Sequence, residues 1–245
     1  GENGSDIAYE NGAVKKAQQV AVAIEKFICP ADVEEDDLVE IINYINENEK
    51  IHGILVQSPL PKHLDEALIV NNIRYEKDVD AFHPVNVGKI MIGDYSFLPC
   101  TPAGVMALLE RSGIDVCGKE CVVVGRSNIV GKPQAMLLLH KSGTVTVCHS
   151  KTRDLAEVCR RADVLVAAIG KADFFTGDMV KDGAVVIDVG MNRRADGKLT
   201  GDVDFASVEP KASYITPVPG GVGPMTITML MQNTLTSAKN TVKLG

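Results

Sequence analysis

Two periods of apolar and polar residues run along the chain. Residues 8 to 28 and 36 to 48 repeat at helical spacing and predict amphipathic helices. Ile51-His52-Gly53-Ile54-Leu55-Val56-Gln57 is a short apolar run that predicts a strand. Ser58-Pro59-Leu60-Pro61 ends it, because two prolines remove donors and fix the backbone. Residues 64 to 71 read as a helix and 78 to 98 as irregular chain with turns. After Pro102 the alternation sharpens. Helical spacing covers 103 to 112, 132 to 140 and 153 to 161, and apolar β-branched runs cover 120 to 124, 144 to 148, 164 to 169 and 184 to 189. A last helix is predicted over Met225 to Lys239. Strands alternating with helices predict an α/β fold with a parallel sheet. Gly1 opens on a loop, so a helix and a strand are expected to precede it.

Composition narrows the function class. With 245 residues, 45% of them apolar, the chain can bury a sizeable core. A formal charge of −7 argues against nucleic-acid or anionic-membrane partners, which call for a basic face. No apolar run approaches the roughly 18 residues of a spanning helix, and the first residues lack the pattern of a signal peptide. The cysteines at 29, 100, 117, 121, 148 and 159 form no C-x-x-C pair, and the histidines show no ligand spacing. Free thiols in a reducing cytoplasm are therefore expected, and no metal site.

The run from Cys121 to Val124 leads into Gly125-Arg126-Ser127-Asn128-Ile129-Val130-Gly131-Lys132-Pro133. Gly125 suits a tight turn and Gly131 a close approach of helix to strand, leaving amides at the helix start for a pyrophosphate. This is not the full G-x-G-x-x-G, so a purely structural turn remains the competing reading. The next strand ends in His149-Ser150-Lys151-Thr152-Arg153, without the acid that binds a ribose 2′-hydroxyl in NAD sites. Ser150 can hydrogen-bond a 2′-phosphate, and Arg126 and Lys151 supply positive charge, so NADP is preferred over NAD. A solvated basic loop is the alternative.

That loop, together with Gly53-Ile54-Leu55-Val56-Gln57-Ser58-Pro59-Leu60-Pro61, Lys77-Asp78-Val79-Asp80, Pro99-Cys100-Thr101-Pro102 and Pro217-Val218-Pro219-Gly220-Gly221-Val222-Gly223-Pro224-Met225-Thr226, resembles the methylenetetrahydrofolate dehydrogenase/cyclohydrolase family. The segments occur in the family's order and span nearly the whole chain. The resemblance implies an α/β folate-binding domain over 1–104 with the helix at 225–245, and a Rossmann-type NADP-binding domain over 105–224, with a cleft between them. It implies oxidation of 5,10-methylenetetrahydrofolate by NADP to the 5,10-methenyl cation, which most members then hydrolyse to 10-formyltetrahydrofolate. It further implies a homodimer in the cytoplasm. Asp80 matches the folate-binding aspartate, Gln57 the amide that orients a catalytic lysine, and Tyr9 the tyrosine stacked near the folate ring. Pro219, Gly220 and Gly221 match a wall that lets folate approach the backbone. Thr101, Gly125, Arg126, Ser127, Ile129, Ser150 and Gly190 match cofactor-contacting positions.

One departure stands out. The family pattern is Tyr-x-x-x-Lys, with the lysine central to hydrolysis, and here the fourth residue after Tyr9 is Ala13. Residues four apart lie about 40° apart on a helical wheel and share a face. Lys15 points about 120° away from Tyr9, and Lys16 returns to its face roughly a turn further on. Both are weak substitutes, so dehydrogenase activity is expected to survive and cyclohydrolase activity to be weak or absent. Ala81, where the family usually has glycine, is a second departure. Two other readings stay open: a different two-domain NADP oxidoreductase, which leaves Gln57-Ser58-Pro59-Leu60-Pro61 and Lys77-Asp78-Val79-Asp80 without a role, and a non-catalytic NADP-binding protein. Folate-dependent formation of NADPH separates the three.

Overall fold

A computed structural model describes the backbone over residues 4–241 and the side chains over 10–241. The chain divides into two compact units, Gly1–Cys100 with Ile227–Gly245, and Thr101–Thr226. In chain order the elements are α1 (Gly4–Gln19), α2 (Glu35–Glu47), α3 (Glu66–Asn72), α4 (Pro84–Ile92), α5 (Cys100–Arg111), β1 (Glu120–Val124), α6 (Gly131–His140), β2 (Thr144–Cys148), α7 (Leu155–Arg160), β3 (Val164–Ala167), β4 (Val185–Asp188), β5 (Asn192–Arg193), β6 (Leu199–Thr200), α8 (Phe205–Val208), β7 (Tyr214–Ile215) and α9 (Val222–Thr241).

The first unit is helical around an isoleucine core. Ile42 and Ile45 of α2 pack with Ile54, Ile69 of α3 and Ile73. Three expectations need correction here. The helix predicted over 8 to 28 stops at Gln19 because Ala21 turns left-handed (φ 57°) and Val22 N–H bonds back to Ala17 O at 2.9 Å, a Schellman closure with alanine where glycine is usual. The strand predicted over Ile51 to Gln57 reduces to a single parallel bridge, Ile54 to Asp78, with Ile54 N–H donating to Lys77 O at 2.7 Å. A strand exists only through partners, and among the described residues only this stretch lies alongside. Within 78 to 98, α4 forms after all: Pro84 sets its first turn, His83 Nδ1 accepts from Val85 N–H at 3.1 Å, and Gly93 closes it at φ 80°.

Lys77 is buried in this unit. Its Nζ donates to Ile45 O at 3.1 Å, Asn46 O at 2.6 Å and Asn48 O at 2.8 Å, satisfying carbonyls that the end of α2 leaves open.

The second unit is built on a parallel sheet of order β2-β1-β3-β4-β7. Alternate residues feed two cores. Val122, Val124, Leu165, Ala167 and Val186 point to one side, with Cys159 and Phe175. Cys121, Val123, Val164, Val166, Val185 and Ile187 point to the other, with Val105 and Leu109 of α5 and Ala135 and Leu138 of α6. Burial on both faces explains the unbroken apolar runs, and each fully buried valine contributes about 1.5–3 kcal/mol.

Candidate functional site

In the second unit, the strand order reverses direction beside β1: its sequence successor β2 lies on one side and β3 on the other. In open parallel sheets this switch point, at the carboxyl ends, is where a dinucleotide is held. Gly125 occupies it. Its φ is 140°, its N–H donates to Cys148 O at 2.9 Å, and a β-carbon there would overlap Ala168 O. A β-carbon on Gly131 would overlap Gly125 O, so α6 touches the strand end only because both residues lack side chains. Ser127 caps the turn, its Oγ accepting from Val130 N–H at 3.1 Å and Gly131 N–H at 3.3 Å. Arg126 and Ile129 are exposed.

The register Val124 to Cys148 places Arg126 and Ser150 each two residues beyond neighbouring strand ends. Ser150, Lys151 and Arg153 are exposed there. The turn between them is fixed by His149 N–H to Thr152 Oγ1 at 2.8 Å and Lys151 N–H to His149 Nδ1 at 3.1 Å. Bare glycines at the switch point, with cations, a hydroxyl and no acid at the β2 tip, fit a dinucleotide carrying a 2′-phosphate.

Two buried aspartates that sequence reasoning missed shape the next loops. Asp202 accepts from three consecutive amides, Ile169 at 2.6 Å, Gly170 at 3.0 Å and Lys171 at 2.8 Å, and from Asn192 Nδ2 at 2.9 Å. Asp188 accepts from Gly190, Asp202 and Val203 N–H, each at 2.9 Å. Burial pushes the Asp188 carboxyl up to about 6, against the pull of those amides. Gly190 is buried between the two carboxylates. An acid closing an apolar strand, Val185-Val186-Ile187-Asp188, was the available signal. Elsewhere in this unit, Thr101 Oγ1 pairs with Thr226 Oγ1 at 3.0 Å. Pro219 and Gly220 are exposed, Gly220 has φ 108°, and a β-carbon on Gly221 would lie 2.9 Å from Thr216 Cβ.

In the first unit, the Ile54 bridge brings the segment ending in Gln57 beside Lys77-Asp78, and Gln57 itself is exposed. Asp80 follows two residues later and is half-buried. Asp78 accepts from His83 N–H at 2.8 Å and Asn86 Nδ2 at 2.9 Å, which fixes the turn. The Asp80 carboxyl accepts from Cys100 Sγ at 3.5 Å. Desolvation, reinforced by the charge of Asp78, pushes its pKa up to about 7, and the thiol bond pulls it back down. Burial likewise drives the Cys100 thiol far above its usual range. A partly buried carboxyl with only a weak thiol donor against it among the described residues suits a ligand that donates stronger hydrogen bonds to it. Tyr9 belongs to α1, but its side chain lies outside the described residues.

Comparison with known proteins agrees with this geometry. The catalytic domain of tetrahydrofolate dehydrogenase/cyclohydrolase matches residues 1–80, and the NAD(P)-binding domain of the same name matches 99–242. The chain belongs to the tetrahydrofolate dehydrogenase/cyclohydrolase family. The bifunctional protein FolD of Acetivibrio thermocellus is 56% identical over 244 residues, covering 100% of this chain and 86% of the relative. That of Bacillus subtilis is 51% identical over 242 residues, covering 99% and 86%. The crystal structure of the bifunctional FolD enzyme of Campylobacter jejuni superposes with a TM-score of 0.96 at 48% identity, covering 98% of this chain and 86% of that one. The Trypanosoma brucei FolD enzyme, complexed with NADP and an inhibitor, gives 0.95 at 41%, covering 99% and 85%.

On α1 of this tetrahydrofolate dehydrogenase/cyclohydrolase family member, the position expected to hold lysine is alanine. Ala13 and Ala17, one turn apart, are buried. A β-carbon on Gly12 would lie 2.8 Å from Ile227 Cδ1 of α9, so α1 and α9 pack closely. Lys15 is exposed and Lys16 half-buried. The fourth position after Tyr9 is thus a buried alanine, where the resemblance leads one to expect lysine. The second departure now has an account: Ala81 is fully buried at φ 58°, the left-handed region that glycine enters freely.

Proposed function

We propose that the chain oxidises 5,10-methylenetetrahydrofolate to 5,10-methenyltetrahydrofolate with NADP. The observation that carries this reading is the desolvated Asp80 carboxyl at the end of Lys77-Asp78-Val79-Asp80, which other NADP oxidoreductases leave without a role. Its ionised form can accept hydrogen bonds from the amino and ring N–H groups of a pterin. Tyr9 supplies stacking area to the folate ring. Pro219, Gly220 and Gly221 offer backbone without side chains to the same ligand.

NADP, when bound, accepts the hydride from the one-carbon bridge. The chain's part is to hold and align it. Gly125 and Gly131 would give room for the pyrophosphate, Arg126, Lys151 and Ser150 would meet the 2′-phosphate, and Thr101, Ser127, Ile129 and Gly190 would make further contacts to the cofactor. Hydride transfer depends mainly on alignment. Hydrolysis of the methenyl cation also needs proton transfer, and loss of a general acid–base group typically costs about 10² to 10⁴-fold. Relatives named bifunctional carry both activities; with Ala13 in place of the lysine and Lys15 and Lys16 as weak substitutes, hydrolysis is expected to be the reduced one of the two here.

We read the enzyme as a homodimer of the cytoplasm, in keeping with the family resemblance and with cysteines that are all free. The decisive experiment supplies folded protein with methylenetetrahydrofolate and NADP and follows NADPH. Folate-dependent NADPH formation is expected, and its absence from folded protein overturns the reading.

A further inference from the structure

Helix α9 carries two buried polar side chains one turn apart, Asn233 and Ser237, among otherwise apolar neighbours such as Leu230. Ser237 Oγ bonds His52 O, and Glu76 O at 2.7 Å. Asn233 Nδ2 lies 2.8 Å from Val79 O, 2.8 Å from Leu98 O and 3.7 Å from Cys100 Sγ. One helix therefore grips the chain on both sides of Asp78, at residue 76 and at residue 79, and also the segment that presents Cys100.

A primary amide has two N–H groups. Asn233 directs them to Val79 O and Leu98 O, and a shared N–H also faces Cys100 Sγ, so the sulfur accepts from the amide and its own hydrogen points elsewhere. The Cys100 thiol has one hydrogen and two acceptors within reach, Val79 O at 3.6 Å and Asp80 Oδ1 at 3.5 Å. The carbonyl is already engaged by the stronger amide donor, while the carboxylate offers a charge-assisted bond. The hydrogen goes to Asp80.

We infer that Asn233 is a positioning residue for the folate-binding carboxylate: it fixes the Val79 carbonyl and turns the Cys100 thiol so that its hydrogen points at Asp80. This deepens the proposed function and rests on Asp80 contacting the pterin. The groups acting on the Asp80 charge are Asp78, which opposes ionisation, and Cys100, which favours it. Removing Asn233 frees Val79 O to compete for the thiol hydrogen, and the carboxylate loses a donor.

The test is steady-state dehydrogenase kinetics across pH on the full chain. Asn233→Ala is expected to raise KM for methylenetetrahydrofolate about ten-fold, the effect of one lost hydrogen bond in a buried site. It should also move the acid limb of kcat/KM to higher pH while KM for NADP stays within about two-fold of the parent. Cys100→Ala, which leaves the amide bonds to carbonyls intact and serves should Asn233→Ala fold poorly, is expected to shift the acid limb the same way. Cys100→Ser, with a hydroxyl donor, is expected to restore it. An unmoved acid limb in Cys100→Ala, or equal losses toward folate and NADP in Asn233→Ala, overturns the inference. Asp80→Asn separates the two levels: if it leaves folate KM unchanged, the Asp80 reading itself fails, whereas a raised folate KM with an unmoved Cys100→Ala profile sinks only the role of Asn233.

Discussion

A β-carbon on Gly190 would overlap the carboxylate of Asp202, fourteen residues from Asp188 and bonded to it through the backbone. The loop leaving β4 is thus shaped around that carboxylate, which also gathers the three amides that follow β3.

Asp202→Ala takes one buried acceptor from three part-buried amides, two of which water can reach, so the variant is expected to lose about 1–3 kcal/mol. Urea unfolding measures this, and a fluorescence titration with NADPH should show weakened binding. Asp202→Asn, which keeps one acceptor oxygen, is expected to fall between the two. Parent-like stability in Asp202→Ala contradicts the account.

The raised pKa of Asp80, about 7, has two consequences of opposite sign. In the proposed role Asp80 binds the pterin in its ionised form, so kcat/KM for methylenetetrahydrofolate is expected to fall about ten-fold per pH unit below 7 and level off above it. For folding, a carboxyl raised above its ordinary 3.8 contributes stability that is complete at low pH and fades as pH climbs through about 7. Asp80→Asn should therefore show a higher Tm than the parent at pH 8, a gap that has largely closed by pH 4, below the ordinary carboxyl value, while its folate KM rises. Calorimetry at the two pH values reads the first effect.

Ala13→Lys restores the Tyr-x-x-x-Lys pattern. Because the expected loss from a missing acid–base group is about 10² to 10⁴-fold, hydrolysis of methenyltetrahydrofolate is expected to rise by at least about ten-fold relative to hydride transfer. Measuring both half-reactions on one preparation checks it. Hydrolysis in the parent that already matches its NADPH formation refutes the argument from Ala13.

At Ala81 the terms nearly cancel. Glycine would relieve left-handed strain of about 1–2 kcal/mol. It would lose a buried methyl worth about 0.8 kcal/mol and add unfolded-state entropy of about 0.4–1 kcal/mol. Ala81→Gly is expected to fall within about 1 kcal/mol of the parent by chemical denaturation. A valine, β-branched in the same conformation, should be far worse.

The legible parts of the chain were those governed by near neighbours. β1 spans the predicted 120–124, since a strand buried on both faces has no polar alternation to blur its ends, and β2 spans 144–148, where threonine and valine alternate along a half-exposed edge strand. Gly125 and Gly131 were legible for the same reason: the turn that needs them is seven residues long. Elements that depend on distant partners were not. Ile51 to Gln57 has strand composition but, among the described residues, only the Asp78 bridge. Ala21 ends α1 where no glycine advertised it, and His83 starts α4 through a cap that composition does not reveal. Asp202 reaches back about thirty residues to its amides, and Asn233 more than a hundred to Val79 and Leu98. Nothing in the local pattern distinguishes such residues from ordinary solvated polar ones.

Lys77 carries a consequence for the whole folate side. Its ammonium is shared among three carbonyls at the end of α2, and the Asp80 carboxyl lies only three residues further along the backbone. The end of α2 thus acts as a fixed datum from which the Asp80 carboxyl is measured out. Altering the length of α2 would displace that acceptor, and insertions should be tolerated in the exposed 20–34 stretch far better than at residues 46 to 49.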